Sequence, residues 1–147
     1  MPTVQLNYNS RLSNGQVGQI ADLGESNVIS RDVQPVGGIG FGVPVIQGTG
    51  ENQCTVGAAG NFLGITVRDP AVDATANDRY VQNSNASIMT RGVIWVTADE
   101  AVSFGDLVYR TAAGVLNRTL TGNTLVAGAR WESTAAGGAL ARVRLGV

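Results

Sequence analysis

The stretch "TRGVIWVTADEAVSFGDLVYR", Thr90 to Arg110, decides how the chain is read. Val93, Ile94, Trp95 and Val96 form a near-continuous apolar run between polar ends. So short a run, rich in β-branched residues, reads as a strand buried on both faces. After a polar pause the apolar character resumes at Leu107, Val108 and Tyr109. Within the pause Thr97 and Glu100 stand at the spacing of a capping box, and Gly105 supplies a stop. That spacing predicts one short helical turn over residues 98–103, joining two strands. The passage holds acids and arginines but no histidine or cysteine, so it is either the wall of a site or a wall alone.

Working outward, the rest of the chain also reads as strands and turns. "DLVYRTAAGVLNR" is a strand, a loop containing Gly114 and a return strand. "NTLVAGARWES" and "GGALARVRLGV" supply two more strands, the last with Leu140, Val143 and Leu145 at roughly alternating spacing. Upstream lie "FLGITVR", "NQCTV" and the run Val43–Gln47. Pro44 cannot donate to a ladder, so that last run is expected at an edge or a bulge. Roughly eight short strands, twenty glycines and almost no helical periodicity predict an all-β fold, a small barrel or sandwich. Residues 1–30 differ from the rest. They are rich in Asn, Gln, Ser and Gly, with apolar residues set singly, and no face of them makes a core. They read as an extended N-terminal arm, either a loose end or a segment that orders against a partner, preceding a single β-rich domain over residues 31–147.

Composition narrows the function. The chain has 147 residues, about one domain, with a charged fraction of 14% and a net charge of -1. All ten cations are arginines, spread from Arg11 to Arg144, so no basic face is available for counterion release from nucleic acid. The start, "MPTVQLNYNS", lacks the basic and apolar segments of a secretory signal, and no apolar run is long enough to span a membrane. Cytoplasmic synthesis is the expectation. With no histidine, the Ser-His-Asp and Cys-His mechanisms are excluded. One cysteine and no histidine exclude a zinc site of the usual composition and an internal disulfide. The absence of lysine excludes a Schiff base and a P-loop.

A few constellations survive. Asp99 and Glu100 are adjacent carboxylates, but capping accounts for Glu100. Asp69, Asp73 and Asp78 share a loop with Asn77 and could offer oxygens to calcium. The Asp69–Asp78 spacing matches no EF-hand, so the loop reads as solvated and no metal is expected. "GGIGFG", Gly37–Gly42, is followed by a strand pattern instead of a helix, so it reads as a turn and not as a phosphate loop. Trp95 lies inside an apolar run and reads as core. Trp131, between Arg130 and Glu132, has the better claim to an exposed interface. Cys54 reads as a small buried hydrophobe. No catalytic, cofactor-binding or metal-binding residue is assigned.

"FLGITVRDP", "TRGVIWVTADEAVSFGDLVYR" and "GARWESTAAGGALARVRL", in that order, resemble the cement or decoration proteins of tailed-bacteriophage heads. The likeness runs from about Val43 to Val147, with a looser match at "MPTVQLNYNSRL". The resemblance implies a β-rich virion protein, typically a homotrimer, on the outside of the capsid. It would bridge neighbouring major capsid proteins and stabilise the head, with no cofactor and no reaction. The competing readings are a glycan- or receptor-binding β-module of a phage fibre, and an enzyme working through Asp99 and Glu100.

Overall fold

The computed structural model describes residues 15–22, 24–72 and 78–146. Their strands are β1 (Asn27–Val33), β2 (Ile39–Gly40), β3 (Pro44–Gln47), β4 (Gln53–Thr55), β5 (Phe62–Thr66) and β6 (Arg79–Tyr80). They continue with β7 (Asn85–Thr97), β8 (Leu107–Arg110), β9 (Leu116–Asn117), β10 (Thr124–Trp131) and β11 (Leu140–Leu145). The fold is all-β. Three of these strands, β2, β6 and β9, are two residues long, too short to stand out as sequence runs.

The longest strand, β7, organises the rest. Its first half pairs with β1 on one side and β5 on the other. With the β1–β4, β4–β3 and β3–β5 pairings this closes a ring of five strands. Its second half, from Gly92 to Thr97, pairs with β11, and the order continues through β10 and β8 to β9. A parallel bridge from Ala98 to Leu116 brings β9 back against the end of β7 and closes a second ring. The barrel expectation therefore holds, as two small barrels that share one strand.

Burial along β7 explains how one strand serves two cores. Ala86 and Ile88 point into the first ring with Val33, Val45, Cys54 and Tyr80. Met89 points the other way, with its cross-strand partner Ile65, into the core of the second ring. Simple alternation would then send Val93 and Trp95 after Met89. A bulge intervenes: Asn27 faces Arg91 but Val28 faces Met89, so Thr90 is an extra residue. The alternation is reversed, and Ile94, Val96 and Ala98 join Met89 among Val108, Val126, Trp131, Ala141 and Val143. Gly92 follows the bulge at φ +130°, a conformation that side-chain-bearing residues rarely adopt. A Cβ there would also lie 3.0 Å from Ser26 Cβ and 3.1 Å from Met89 Sδ.

The remaining edge of the second half of β7 is covered from the N-terminal side. The Gly18 amide donates to Trp95 O (2.8 Å), Trp95 N to Gln19 O (2.9 Å) and Ala21 N to Val93 O (2.9 Å). Val17 packs into the first core and Ile20 into the second. Asn27 to Ser30 already belong to β1. So the described part of the stretch expected to be an arm is bonded into the barrels. Residues 1–14 of that arm lie outside the described residues.

Three local expectations meet the structure differently. The hairpin is present: β8 and β9 pair across a turn in which Thr111 N donates to Val115 O (2.9 Å). Pro44 heads β3, which lies between β4 and β5, so the strand is internal. The first β4 pairing comes at Ile46, after a register shift that follows Val45, so the proline sits beside a bulge. The helical turn is not at residues 98–103. Ala98 bridges Leu116 and Val102 bridges Ala135, so that segment is extended. Those long-range pairings close the second ring, and a capped turn would forfeit them. The helical turn instead occupies residues 70–72, where Pro70 opens it and Asp69 Oδ1 accepts the Ala71 amide (2.9 Å).

Trp95, expected in the core, stands outside it, and Trp131 has no face left for the interface weighed for it. The bulge turns Trp95 out of both cores, where it is half-buried with the Arg142 guanidinium 5.7 Å from its ring. Trp131 is fully buried in the second ring and donates its indole N–H to Asn117 O at 3.3 Å. Trp131→Ala is expected to cost about 3–5 kcal/mol in urea denaturation, as for a core aromatic. Trp95→Ala is expected to cost about 1–2 kcal/mol, in keeping with partial burial.

Candidate functional site

The carboxylates singled out from the sequence do not converge. The Asp99 side chain is exposed, and its amide donates to Leu116 O (3.0 Å). Glu100 turns away to the 118–119 loop. There its Oε1 accepts the Thr119 hydroxyl (2.6 Å) and the Arg118 amide (2.9 Å). These bonds, the hydroxyl's first, hold the Glu100 carboxyl below its ordinary pKa. Glu100 is thus a clamp between loops, not a capping-box partner of Thr97. In the Asp69–Asp78 loop, Asp69 caps the helical turn and Asp78 pairs with Arg68 at 3.5 Å. Asp73 and Asn77 lie outside the described residues. Among the described residues no three of His, Cys, Asp and Glu come together.

The other sequence candidates resolve as structure. Gly37–Gly42 forms turns around β2, with Ile39 and Phe41 buried and β3 following. Cys54 is fully buried in the first ring, and burial pushes its thiol up to about 11. Two clefts open on the described surface. One, of about 170 Å³, is lined by Asp22, Glu25, Arg91 and Arg144 among others, with Arg91 and Glu25 paired at 3.2 Å. The other, of about 550 Å³, is walled by Gln16, Gln19, Ile20, Val67, Arg68 and Pro70.

Two features were missed in the sequence. Arg110 is 3% exposed, and its Nη1 donates to Gly57 O across the gap between the rings. Its guanidinium carbon lies 5.9 Å from the Phe62 ring. A buried arginine with no carboxylate paired to it among the described residues is costly unless it stays bonded, so it ties the β4–β5 loop to the second ring. No sequence pattern marks it, because its partners are backbone and ring.

The second is the turn Ser103–Asp106. Asp106 N donates to Ser103 O (3.1 Å) and Ser103 N donates to Asp106 Oδ2 (2.8 Å). Gly105, the third residue, has φ +89°, as a type II turn requires. Its amide donates to Trp131 O (2.7 Å), and Trp131 N returns a bond to Asp106 O (3.0 Å). Phe104 N donates to Thr134 Oγ1 and Arg130 Nη1 donates to Gly105 O, each at 3.3 Å. Arg118 approaches the Asp106 carboxylate at 3.6 Å. Yet Phe104 itself is 69% exposed. The signal in the sequence was an aromatic inside "SFGD", a turn sequence, where no core can receive it.

Among the described residues the carboxylates singled out from the sequence stay apart, and the comparisons point to a structural protein. The model of a family described as structural cement protein (E217 gp24/Pam3 gp6) matches residues 4–146. The chain belongs to the phage structural cement protein family. It is a structural virion protein that stabilises the capsid. The cement protein's fold is similar to a chain of the capsid of Myoviridae phage XM1, at 19% identity, with 94% of each chain covered and a TM-score of 0.73. It is also similar to the head fibre gp8.5 N base of bacteriophage phi29, at 10% identity, covering 82% of this chain and 94% of that one with a TM-score of 0.53. At such identities these two show a shared fold. No curated protein is significantly similar in sequence.

Two measurements check the local chemistry of the cement protein. A carboxyl held low in the folded state stabilises above its unfolded pKa and loses that contribution as pH falls through the folded one. Glu100→Gln is therefore expected to lower stability at neutral pH and to flatten the acid limb of a stability-against-pH curve. Cys54, buried and with a thiol pKa of about 11, is expected to resist an aromatic disulfide reagent at pH 8 in the folded protein and to react at once in denaturant.

Proposed function

We propose that this cement protein binds the exterior of the phage head as a homotrimer, bridges neighbouring major capsid proteins, and acts by binding without catalysing a reaction. The observation that carries the reading is the family match over residues 4–146. The phi29 relative in fold is named as the base of a head fibre, which is in keeping with a module that sits on a head. Several modest contacts made together suffice for such a task, since avidity exceeds single-site affinity by roughly 10² to 10⁴. Synthesis in the host cytoplasm and attachment to finished shells complete the reading. The N-terminal arm read from the sequence adds its own contact with the shell.

The glycan-binding alternative loses its anchor. It called for an exposed Trp131, and that ring is fully buried.

Heads lacking the protein test the proposal. Adding the purified full chain is expected to restore resistance to heat-induced DNA release, and light scattering of the free protein is expected to give the mass of a trimer. The chain without residues 1–14 is expected to fold with an unchanged melting curve and to bind those heads more weakly. Heads no more resistant with the protein than without it would defeat the proposal.

A further inference from the structure

The two rings share β7 and the Gly18–Ala21 strap, and they also meet at a seam between the β4–β5 loop and β8, β9 and β10. Arg110 sits at the middle of the seam. The register puts Leu116 of β9 on one side of it and Thr124 of β10 on the other. By alternation its side chain leaves β8 on the same face as Val108, which lies in the second core. The guanidinium ends against residues 57–60, with Nη1 donating to Gly57 O and the Phe62 ring nearby. Its Nε is buried with no hydrogen-bond partner among the described residues.

Residues 57–60, Gly-Ala-Ala-Gly, bury little of their own. Ala58, Ala59 and Gly60 are exposed. Among the described residues their backbone bonds to no other backbone group. Two side chains of the second ring hold them instead: Arg110 Nη1 on Gly57 O, and Thr124 Oγ1 on Ala58 O (3.2 Å). The flanks are anchored separately. Val56 packs against the first core, and Asn61 O accepts the Gln47 amide (2.8 Å). Beneath the segment lies Ile46 Cδ1, which a Cβ at Gly57 or Gly60 would meet at 3.1 and 3.0 Å. Ile46 belongs to neither of the two cores.

Lifting these four residues therefore breaks two hydrogen bonds and wets part of one isoleucine. In return it hydrates a cation that is incompletely bonded while covered, and burying such a charge is what costs free energy in the closed state. Neither core gives up a side chain. Openings that expose so little apolar surface lie well below the free energy of global unfolding.

We propose that residues 57–60 are a lid over Arg110, which opens on its own while both rings stay packed and joined through β7 and the strap. Closed, the lid hides the guanidinium. Open, it leaves a hydrated cation beside the Phe62 ring. The lid belongs to the free protein and does not depend on where the protein binds.

Two buried groups report the two kinds of opening. Arg110 is reached when the lid lifts, and Cys54, fully buried in the first ring, when the ring itself opens. The folded full chain is treated in native buffer with a small dicarbonyl reagent for arginine and, separately, with iodoacetamide. Peptide mapping by mass spectrometry gives each rate, which is divided by the rate for the same residue in denaturant. Arg110 is expected to be at least about tenfold less protected than Cys54, and more protected than the exposed Arg130. Thr124→Val, which removes one of the two bonds on the lid, is expected to speed Arg110 modification about threefold or more, with Cys54 labelling and the melting curve unchanged. Arg110 as protected as Cys54 would show that the seam opens only with the ring, and would overturn the proposal. Arg110 modified as fast as Arg130 would show that the lid never closes, which overturns it equally. An unchanged Arg110 rate in Thr124→Val would remove the bonding on which the lid is argued.

Discussion

The fold depends on one strand being buried on both of its faces and used on both of its edges. β7 contributes Ala86 and Ile88 to one core and Met89, Ile94 and Val96 to another. Two cores of this size could not each close with independent strands in a chain of 147 residues without many more edges to protect. Sharing β7 removes two edges at once, and the strap at Gly18–Ala21 covers a third stretch. The device that makes sharing feasible is the extra residue Thr90 followed by Gly92. Without it, alternation would point Arg91 and Trp95 inward and send Ile94 and Val96 to solvent.

From that constraint the functional surface follows. The interiors of the rings are filled by Ile, Val, Trp and Ala side chains. What the described residues offer a partner lies on the outside: turns braced by the rings, and the outward faces of the strands. The Ser103 turn is fixed at its far end, where Gly105 N and Asp106 O bond to Trp131, whose indole is the largest side chain filling the second ring. Core packing and surface presentation are therefore one arrangement. For a cement protein this is the useful property, since a rigid contact transmits load where a mobile one would yield.

How much of this was legible beforehand can be argued residue by residue. The strand nature of Ile94 to Val96, the β8–β9 hairpin and the burial of Cys54 were readable, because each is a local pattern with a local cause. The ring architecture was readable only as "barrel or sandwich", since ring closure depends on β1–β7 and Ala98–Leu116 pairings between distant residues. Trp95 was read as core because a bulge at Thr90 reverses alternation, and nothing in "MTRGV" announces it except the glycine. Glu100 was misread because a capping box is a spacing, and Thr119 and Arg118 outcompeted Thr97 from 18 residues or more away. Arg110 was invisible, since its partners are a carbonyl and a ring.

The exposed Phe104 carries the same lesson in reverse. A large aromatic in a strand is explained by a core, and the alternation of Val108 with its neighbours shows which core. A large aromatic at the second position of a type II turn has no such account, because a turn projects that side chain away from the strands it joins. Here the turn keeps its shape through Gly105, Asp106 and their bonds to Trp131, with Phe104 contributing its backbone amide to Thr134. The ring is 69% exposed, so the chain buries little of its apolar surface, and the turn is held by its backbone and by Asp106.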